Sequence, residues 1–246
     1  MTIEITEVLF LALLPVVAFM YSSVGHGGAS GYLALMGLFG VETGLMKGSA
    51  LMLNIFVSGI AFYQYWRGGY FRWKLLFPFA IASVPLAFLG GSIELEPTVY
   101  KRLLAVCLLF AILRILGIFG KEKKEGKEVA FVLALLIGAL LGFFSGLIGI
   151  GGGIILSPIL LLLHWANMKE TAAVSAMFIF VNSIAGITGL SMAGFDFHPK
   201  IYSWIVAALI GGMLGSYSGA KKLNIKALKF ILAGVLLIAS FKLFLV

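Results

Sequence analysis

Two glycine clusters decide the fold of this chain: Gly25-His26-Gly27-Gly28 and Gly149-Ile150-Gly151-Gly152-Gly153. Each interrupts an apolar run in which an unbroken helix would satisfy every backbone polar group. In a bilayer, non-helical backbone is tolerated only where it is buried in protein or lines a wet cavity. Paired breaks at corresponding positions of two halves are typical of the binding site of a secondary transporter.

The composition around the clusters is that of a membrane protein. Of 246 residues, 61% are hydrophobic and 11% are charged, whereas a soluble domain carries roughly 25% charged residues. A membrane-spanning helix needs about 20 mainly apolar residues. Runs of suitable length cover 8–24, 48–65, 75–93, 103–119, 129–148, 171–190, 201–219 and 228–246. Two shorter runs, 31–40 and 154–165, follow the glycine clusters, and each is expected to pair with the run before it.

The basic residues predict the orientation of the chain. We assume that each short run and the apolar run before it enter and leave the membrane on the same face. Most of the 18 Lys and Arg residues then lie on one face of the membrane. That face is predicted to be cytoplasmic and both termini external, because cytoplasmic loops carry the excess of Lys and Arg. Lys47, Lys101, Arg102, Lys200 and Lys242 fall on the opposite face. The net charge of +8 is explained by contact with anionic lipid headgroups and not by nucleic-acid binding. The chain is expected in the inner (cytoplasmic) cell membrane.

The two halves of the chain repeat. At an offset of 124 residues, Gly25, Gly27 and Gly28 align with Gly149, Gly151 and Gly152, and 55–57 aligns with 179–181. An odd number of crossings in each half would invert the second half relative to the first. The predicted fold is an all-α polytopic membrane protein with two inverted-topology repeats, each a broken or re-entrant helix pair plus three transmembrane helices. The repeats are assigned to 1–120 and 129–246, joined by a charged cytoplasmic linker at 121–128, and form one integrated transmembrane domain.

The glycine clusters are the predicted substrate site. Successive backbone N–H groups in a glycine-rich turn can form a concave nest for an anion, and the N-terminus of a following short helix adds partial positive charge. The alternative is that the glycines only let helices pack closely. The candidate binding residues in and beside the clusters are Gly25, His26, Gly27, Gly28, Ser30, Gly149, Gly151, Gly152 and Gly153.

His26 is the titratable side chain inside the clusters, since its counterpart in the second half is Ile150. An ionisable residue at membrane depth is a functional hypothesis by default, and histidine titrates near neutral pH. His26 is therefore the candidate for coupling protons to transport. The alternative is a neutral histidine bound to a backbone carbonyl in an unwound turn, because the sequence shows no carboxylate partner and burial disfavours the charged form.

Polar residues on the helices that follow the breaks extend the candidate site. Asn54 lies after the first pair, and Ser175 and Asn182 lie after the second. Each can hydrogen-bond a substrate or a neighbouring helix. An amide is costlier to bury than a hydroxyl and needs more partners, which favours a site role for the two asparagines.

No enzyme, cofactor or metal is predicted. The sequence has no Walker A motif, and its cysteine and histidine spacing matches no metal site. An intramembrane enzyme built on Ser22, Ser23 and His26 would need an acid to orient the histidine, and none is placed to do so.

These motifs resemble the TauE/SafE family of sulfite and sulfonate exporters. Three segments carry the resemblance: 25–32, 146–153 with the following Ser157-Pro158, and 173–186. Tyr21-Ser22-Ser23-Val24 resembles the branch whose first half carries histidine. Where the family often reads Gly-Thr-Ser, this chain has Ala173-Val174-Ser175, so the polar contacts of the second half differ.

The resemblance implies a secondary transporter, typically an exporter, of small anions such as sulfite, organosulfonates and related sulfur compounds, working by alternating access between the two breaks. Its partners would be the anion, the lipid bilayer and protons as the candidate coupling ion. The alternatives are an anion channel, whose pore the paired breaks would line, and a transporter of small carboxylates.

Overall fold

The computed structural model describes residues 5–115, 129–221 and 236–244. All regular structure in these ranges is helical, which confirms the all-α polytopic fold. The predicted linker at 121–128 lies outside the described residues. The helices are α1 (Ile5–Ser22), α2 (Ala29–Leu38), α3 (Thr43–Arg67), α4 (Trp73–Ser92), α5 (Pro97–Ile115), α6 (Phe131–Ile148), α7 (Gly153–Leu162), α8 (Met168–Met192) and α9 (Lys200–Lys221), followed by a helical segment at 236–244.

Helix length separates the spanning helices from the broken ones. Five helices of the described residues are long and apolar enough to cross a bilayer: α3, α4, α6, α8 and α9. By contrast, α2 and α7 have 10 residues each, or about 15 Å at 1.5 Å per residue, which is half of a hydrocarbon core. The chain is therefore a multi-pass membrane protein with two half-length helices.

The first break is a re-entrant hairpin. Gly25 and Gly28 adopt φ of 77° and 100°, a left-handed conformation open to glycine and strained for other residues. The chain reverses there, and α2 runs back along α1. At the far end of the hairpin the rings of Phe10 and Phe39 lie 5.7 Å apart. The predicted return of the short run to its entry face is therefore the geometry observed.

The second break has the same local form. Gly149, Gly151 and Gly152 have φ of 86°, 82° and 69°. The helix lengths also repeat: α1 to α3 have 18, 10 and 25 residues, and so do α6 to α8. The inverted relation between the halves stays a prediction, which these lengths support.

Glycines let two pairs of helices from opposite halves approach at backbone distance. In each pair, three glycines spaced four residues apart form a stripe along one helix. A Cβ atom on any of these glycines would collide with a carbonyl oxygen of the facing segment. Stripes of small residues are typical of membrane helix interfaces. In the α4–α6 pair, Gly138, Gly142 and Gly146 face Phe79, Ser83 and Ala87. In the α1–α9 pair, Gly211, Gly215 and Gly219 face Pro15, Phe19 and Ser23. Each half thus contributes its first and fourth helices to the other half's packing.

Lys47, one of the few basic residues predicted on the outer face, has a structural role. The residue is buried in α3, with 7% exposure. Its Nζ donates to the carbonyl oxygens of Gly90, Gly91 and Ile93 at 3.2, 2.7 and 3.0 Å. Carbonyls at a helix C-terminus have no partner within the helix, and a lysine commonly satisfies them. Lys47 therefore fixes the end of α4 against α3.

Ion pairs mark the two ends of the helix bundle. At one end Lys200 Nζ lies 3.2 Å from Glu7 Oε1. At the other end Arg72 Nη1 lies 3.5 Å from Glu170 Oε2. The positive-inside pattern predicts that the first end is external and the second cytoplasmic.

Cysteine labelling tests this orientation. In a Cys107→Ala background, which removes the single cysteine, we expect Asp196→Cys to react with a membrane-impermeant maleimide on intact cells and Arg67→Cys to react only after permeabilisation. Both positions are exposed. The reverse pattern of labelling would show that the predicted orientation is wrong.

Candidate functional site

Asn54 connects the two breaks. Its side chain extends from the middle of α3 and is fully buried. Its Oδ1 accepts a hydrogen bond from Ala29 N at 3.1 Å, and its Nδ2 donates to Ile150 O at 3.4 Å. One amide thus satisfies an N–H group at the start of α2 and a carbonyl in the second glycine cluster. The two breaks therefore meet at this residue.

The glycines beside Asn54 leave room for this contact. A Cβ on Gly27 would collide with Asn54 Oδ1, and a Cβ on Gly151 would lie 2.6 Å from Asn54 Nδ2. Ile179 of α8 packs against the same two glycines from the other side. We call the place where the two breaks meet at Asn54 the crossing. It lies between α3 and α8, and only glycine fits at positions 27 and 151.

His26 joins the two halves through a chain of hydroxyl groups. Its Nδ1 lies 2.9 Å from Val24 O, and its Nε2 lies 2.9 Å from Ser157 Oγ in α7. Ser157 Oγ lies 2.8 Å from Ser175 Oγ in α8. Because a carbonyl only accepts, Nδ1 carries a proton, and in the neutral ring Ser157 donates to Nε2. The sequence shows no carboxylate partner for His26, and the structure supplies this hydroxyl partner from the other half.

Both short helices begin at the crossing with a glycine at the N-cap position. Their N-cap residues, Gly28 and Gly152, have left-handed backbone and form no side-chain cap. No described residue accepts a hydrogen bond from the N–H groups of Gly27, Gly28, Gly151 or Gly152. Free N–H groups at a helix N-terminus form a ready site for an anion.

A small cavity lies at the crossing. It has about 10 Å³ of space for the centre of a water molecule and is lined by Tyr21, His26, Gly27, Gly28, Ala29, Ser30, Ile150, Ile154 and Ile179. That volume suits about one water. The cavity in this structure is therefore too small for an anion of several atoms.

The remaining candidates fall into two groups. Ser30 and Ser175 lie at the crossing. Ser30 Oγ is 2.6 Å from Tyr21 OH, and Ser175 is the last residue of the hydrogen-bonded chain that begins at His26. Gly153 also packs on Ile179. In contrast, Gly25 packs against Ala172 near the start of α8, and Gly149 packs against Lys47 near the start of α3. Those two glycines lie at the tips of the breaks.

Asn182 differs from Asn54 in its contacts. Its Nδ2 donates to Phe178 O of its own helix at 2.8 Å, and its buried Oδ1 has no partner in the described part of the chain. Among the described residues Asn182 therefore forms no hydrogen bond with either glycine cluster, although both asparagines carry equal weight as candidates in the sequence.

Three residues of the crossing carry too little sequence signal to be predicted there: Tyr21, Ser157 and Ile179. Ser157 follows the second cluster, but a serine in an apolar helix commonly bonds its own backbone. Its contact with His26 spans 131 residues of sequence. Ile179 is an apolar residue in an apolar helix, so its position against both clusters is visible only in the fold.

The fold and the crossing of two broken helix pairs define a polytopic membrane protein of the transporter class. The family model described as "Sulfite exporter TauE/SafE" matches residues 9–243. The chain belongs to the TauE/SafE family, which confirms the resemblance of the glycine motifs and indicates a membrane transporter rather than an enzyme.

Similar proteins carry transporter names. A "Probable membrane transporter protein y4hK" of Sinorhizobium fredii is 34% identical, with 93% of this chain and 94% of that protein covered. "Probable membrane transporter protein YjnA" of Bacillus subtilis is 26% identical, with 89% and 92% covered. A probable membrane transporter protein of Methanocaldococcus jannaschii is 25% identical, with 95% of each chain covered. No solved structure matches the chain.

Proposed function

We propose that this protein is a secondary transporter that exports small anions, with sulfite, organosulfonates or related sulfur-containing anions as substrates. The carrying observation is that the starts of both short helices meet at one fully buried amide, Asn54, where four backbone N–H groups of the glycine clusters have no acceptor among the described residues. Unpaired backbone N–H groups and two helix dipoles favour negative charge there without a basic side chain. The proposed setting is the cytoplasmic membrane, with both termini external.

The small volume of the cavity supports a carrier over a channel. Space for about one water is too small for sulfite, which has four non-hydrogen atoms, so the crossing must open before an anion binds. A channel requires a pore that is continuous while it conducts. A site formed by helix breaks from both halves is instead the arrangement used for alternating access.

Flux measurements on proteoliposomes test the proposal. We expect saturable uptake of radiolabelled sulfite or sulfoacetate, and exchange against internal substrate that is faster than net flux. Flux that does not saturate and shows no exchange would favour the anion channel. Saturable uptake of acetate or another short carboxylate, with none of the sulfur anions, would assign the protein to the carboxylate alternative.

His26 is the proposed coupling group. In the neutral ring Nε2 accepts from Ser157, and protonation would make Nε2 a donor and reverse the hydroxyl chain to Ser175. Tyr21 is the other titratable side chain that lines the cavity. If His26 carries the coupled proton, His26→Gln should transport with a flat pH profile between about pH 5.5 and 7.5, where histidine titrates.

The measurement is the initial rate of sulfonate exchange across that pH range, since a sulfonate stays fully ionised throughout. Ser157→Ala is the matched control: it removes the partner of Nε2 but leaves the imidazole, so a pH dependence should persist with a shifted midpoint. If His26→Gln keeps the wild-type profile, the histidine is structural and coupling uses another group.

A further inference from the structure

The hydroxyl of Tyr32 is the unexplained polar group of the first break. Tyr32 lies in the first turns of α2 and is fully buried. Its hydroxyl has no hydrogen-bond partner in the described part of the chain. A buried phenol normally finds a partner, because leaving a donor unsatisfied costs about 1–3 kcal/mol. An orphan of this kind points to a partner outside the described part of the chain, such as a bound ligand.

The position of this hydroxyl is at the N-terminus of α2. In a helix, side chains lean back toward the N-terminus, so Tyr32 covers the first turn. Its ring and hydroxyl lie against Gly28, where a Cβ would be 2.7 Å from the Tyr32 oxygen. Gly28 is the uncapped N-cap residue, and its N–H is unpaired among the described residues. The orphan hydroxyl thus lies beside a residue with an unpaired backbone donor.

The second break has no counterpart of the Tyr32 and Ser30 hydroxyls. At the offset of 124 residues, Tyr32 corresponds to Leu156 and Ser30 to Ile154. Ile150 and Ile154 supply the second break's part of the small cavity. In the lining of the cavity, the polar side chains therefore come from the first break, and the second break contributes isoleucines.

We propose that the Tyr32 hydroxyl and the N–H groups of Gly27 and Gly28 bind the oxyanion group of the substrate at the N-terminus of α2. The second break then contacts the rest of the substrate through Ile150 and Ile154. This inference rests on the proposed function and assigns the charged end of the anion to one of the two breaks. Three donors of this kind match the several acceptor oxygens of a sulfite or sulfonate group.

Tyr32→Phe separates this role from a structural one. Removing an unsatisfied hydroxyl should leave the thermal unfolding temperature of the ligand-free protein unchanged or raise it. The same change should weaken binding of sulfite and sulfoacetate by about 10- to 100-fold, the range for a hydrogen bond to a charged group. Isothermal titration calorimetry and thermal unfolding of the purified protein in detergent measure the two effects.

Ser83→Ala is the matched control, since Ser83 also carries a buried hydroxyl that has no partner among the described residues but lies in the α4–α6 contact. It should leave both anion affinities unchanged. Equal affinity of wild type and Tyr32→Phe, or a fall in the ligand-free unfolding temperature with Tyr32→Phe, would overturn the proposed role of Tyr32 and leave the transporter function intact. If the wild-type protein binds neither anion, the proposed function fails, and this site fails with it.

Discussion

Gly27→Val should abolish anion transport, with a loss of about 100-fold or more. A side chain at this position collides with Asn54 Oδ1 and lies 3.0 Å from Ile179 Cγ2 even at its first carbon. Asn54 must then release Ala29 N, which separates the first break from the second. Displacing a buried, hydrogen-bonded amide costs a few kcal/mol, and each 1.4 kcal/mol is a factor of ten.

Gly152→Val should have an effect of similar size for a different reason. Gly152 has φ of 69°, a region in which a β-branched residue is a genuine outlier. Its first side-chain carbon would also lie 2.9 Å from the Phe178 ring. The start of α7 would shift, and with it the second set of free N–H groups.

The assay for both variants is substrate exchange in proteoliposomes, normalised to monodisperse protein. Gly44→Ala is the control, because a Cβ there meets only Glu42 Oε1, at 4.0 Å, and alanine favours a helix over glycine. Wild-type exchange by Gly27→Val would contradict the assignment of the first cluster to the site. The same result for Gly152→Val would reduce the second cluster to packing.

Asn54→Leu and Asn182→Leu should differ sharply, although both asparagines are fully buried in corresponding helices. Leucine at 54 leaves Ala29 N and Ile150 O without partners, at about 1–3 kcal/mol each. We expect lower stability and no measurable transport. Leucine at 182 removes an oxygen that already lacks a partner among the described residues, so stability and transport should stay near wild type.

Asn54→Asp keeps the test decisive if Asn54→Leu does not fold. The aspartate can still accept from Ala29 N, but it cannot donate to Ile150 O, and it places negative charge beside the anion site. Folded protein without anion transport is the expected result. Normal transport by Asn54→Asp would show that the crossing is not where the anion binds.

The breaks themselves were predictable because glycine clusters act locally. A run such as Gly151-Gly152-Gly153 in an apolar segment disfavours continuous helix whatever surrounds it, and apolar length then separates short helices from spanning ones. The paired 10-residue helices follow from these two properties.

The residues that reach the crossing were less predictable, because they depend on how α3 and α8 are aligned relative to the breaks that precede them. The link between α2 and α3 covers 39–42, whereas the link between α7 and α8 covers 163–167 and is one residue longer. One residue turns a helix by about 100°. In the observed helices Asn54 therefore corresponds to Ile179, and Asn182 occupies the position of Val57. An amide on each side was a reasonable expectation from sequence, but the two amides face different surroundings.

The interleaved glycine stripes have a consequence for biosynthesis. The carbonyl groups of Pro15 and Phe19 in α1 are covered by glycines of α9 that are made about 200 residues later. At roughly 5–20 residues per second, that delay is on the order of 10–40 s. During this interval the first hairpin must wait in the membrane beside lipid or the insertion machinery, without its final neighbour. Packing of α1 is therefore completed late, and a chain truncated before α9 would leave this face of α1 without its final neighbour.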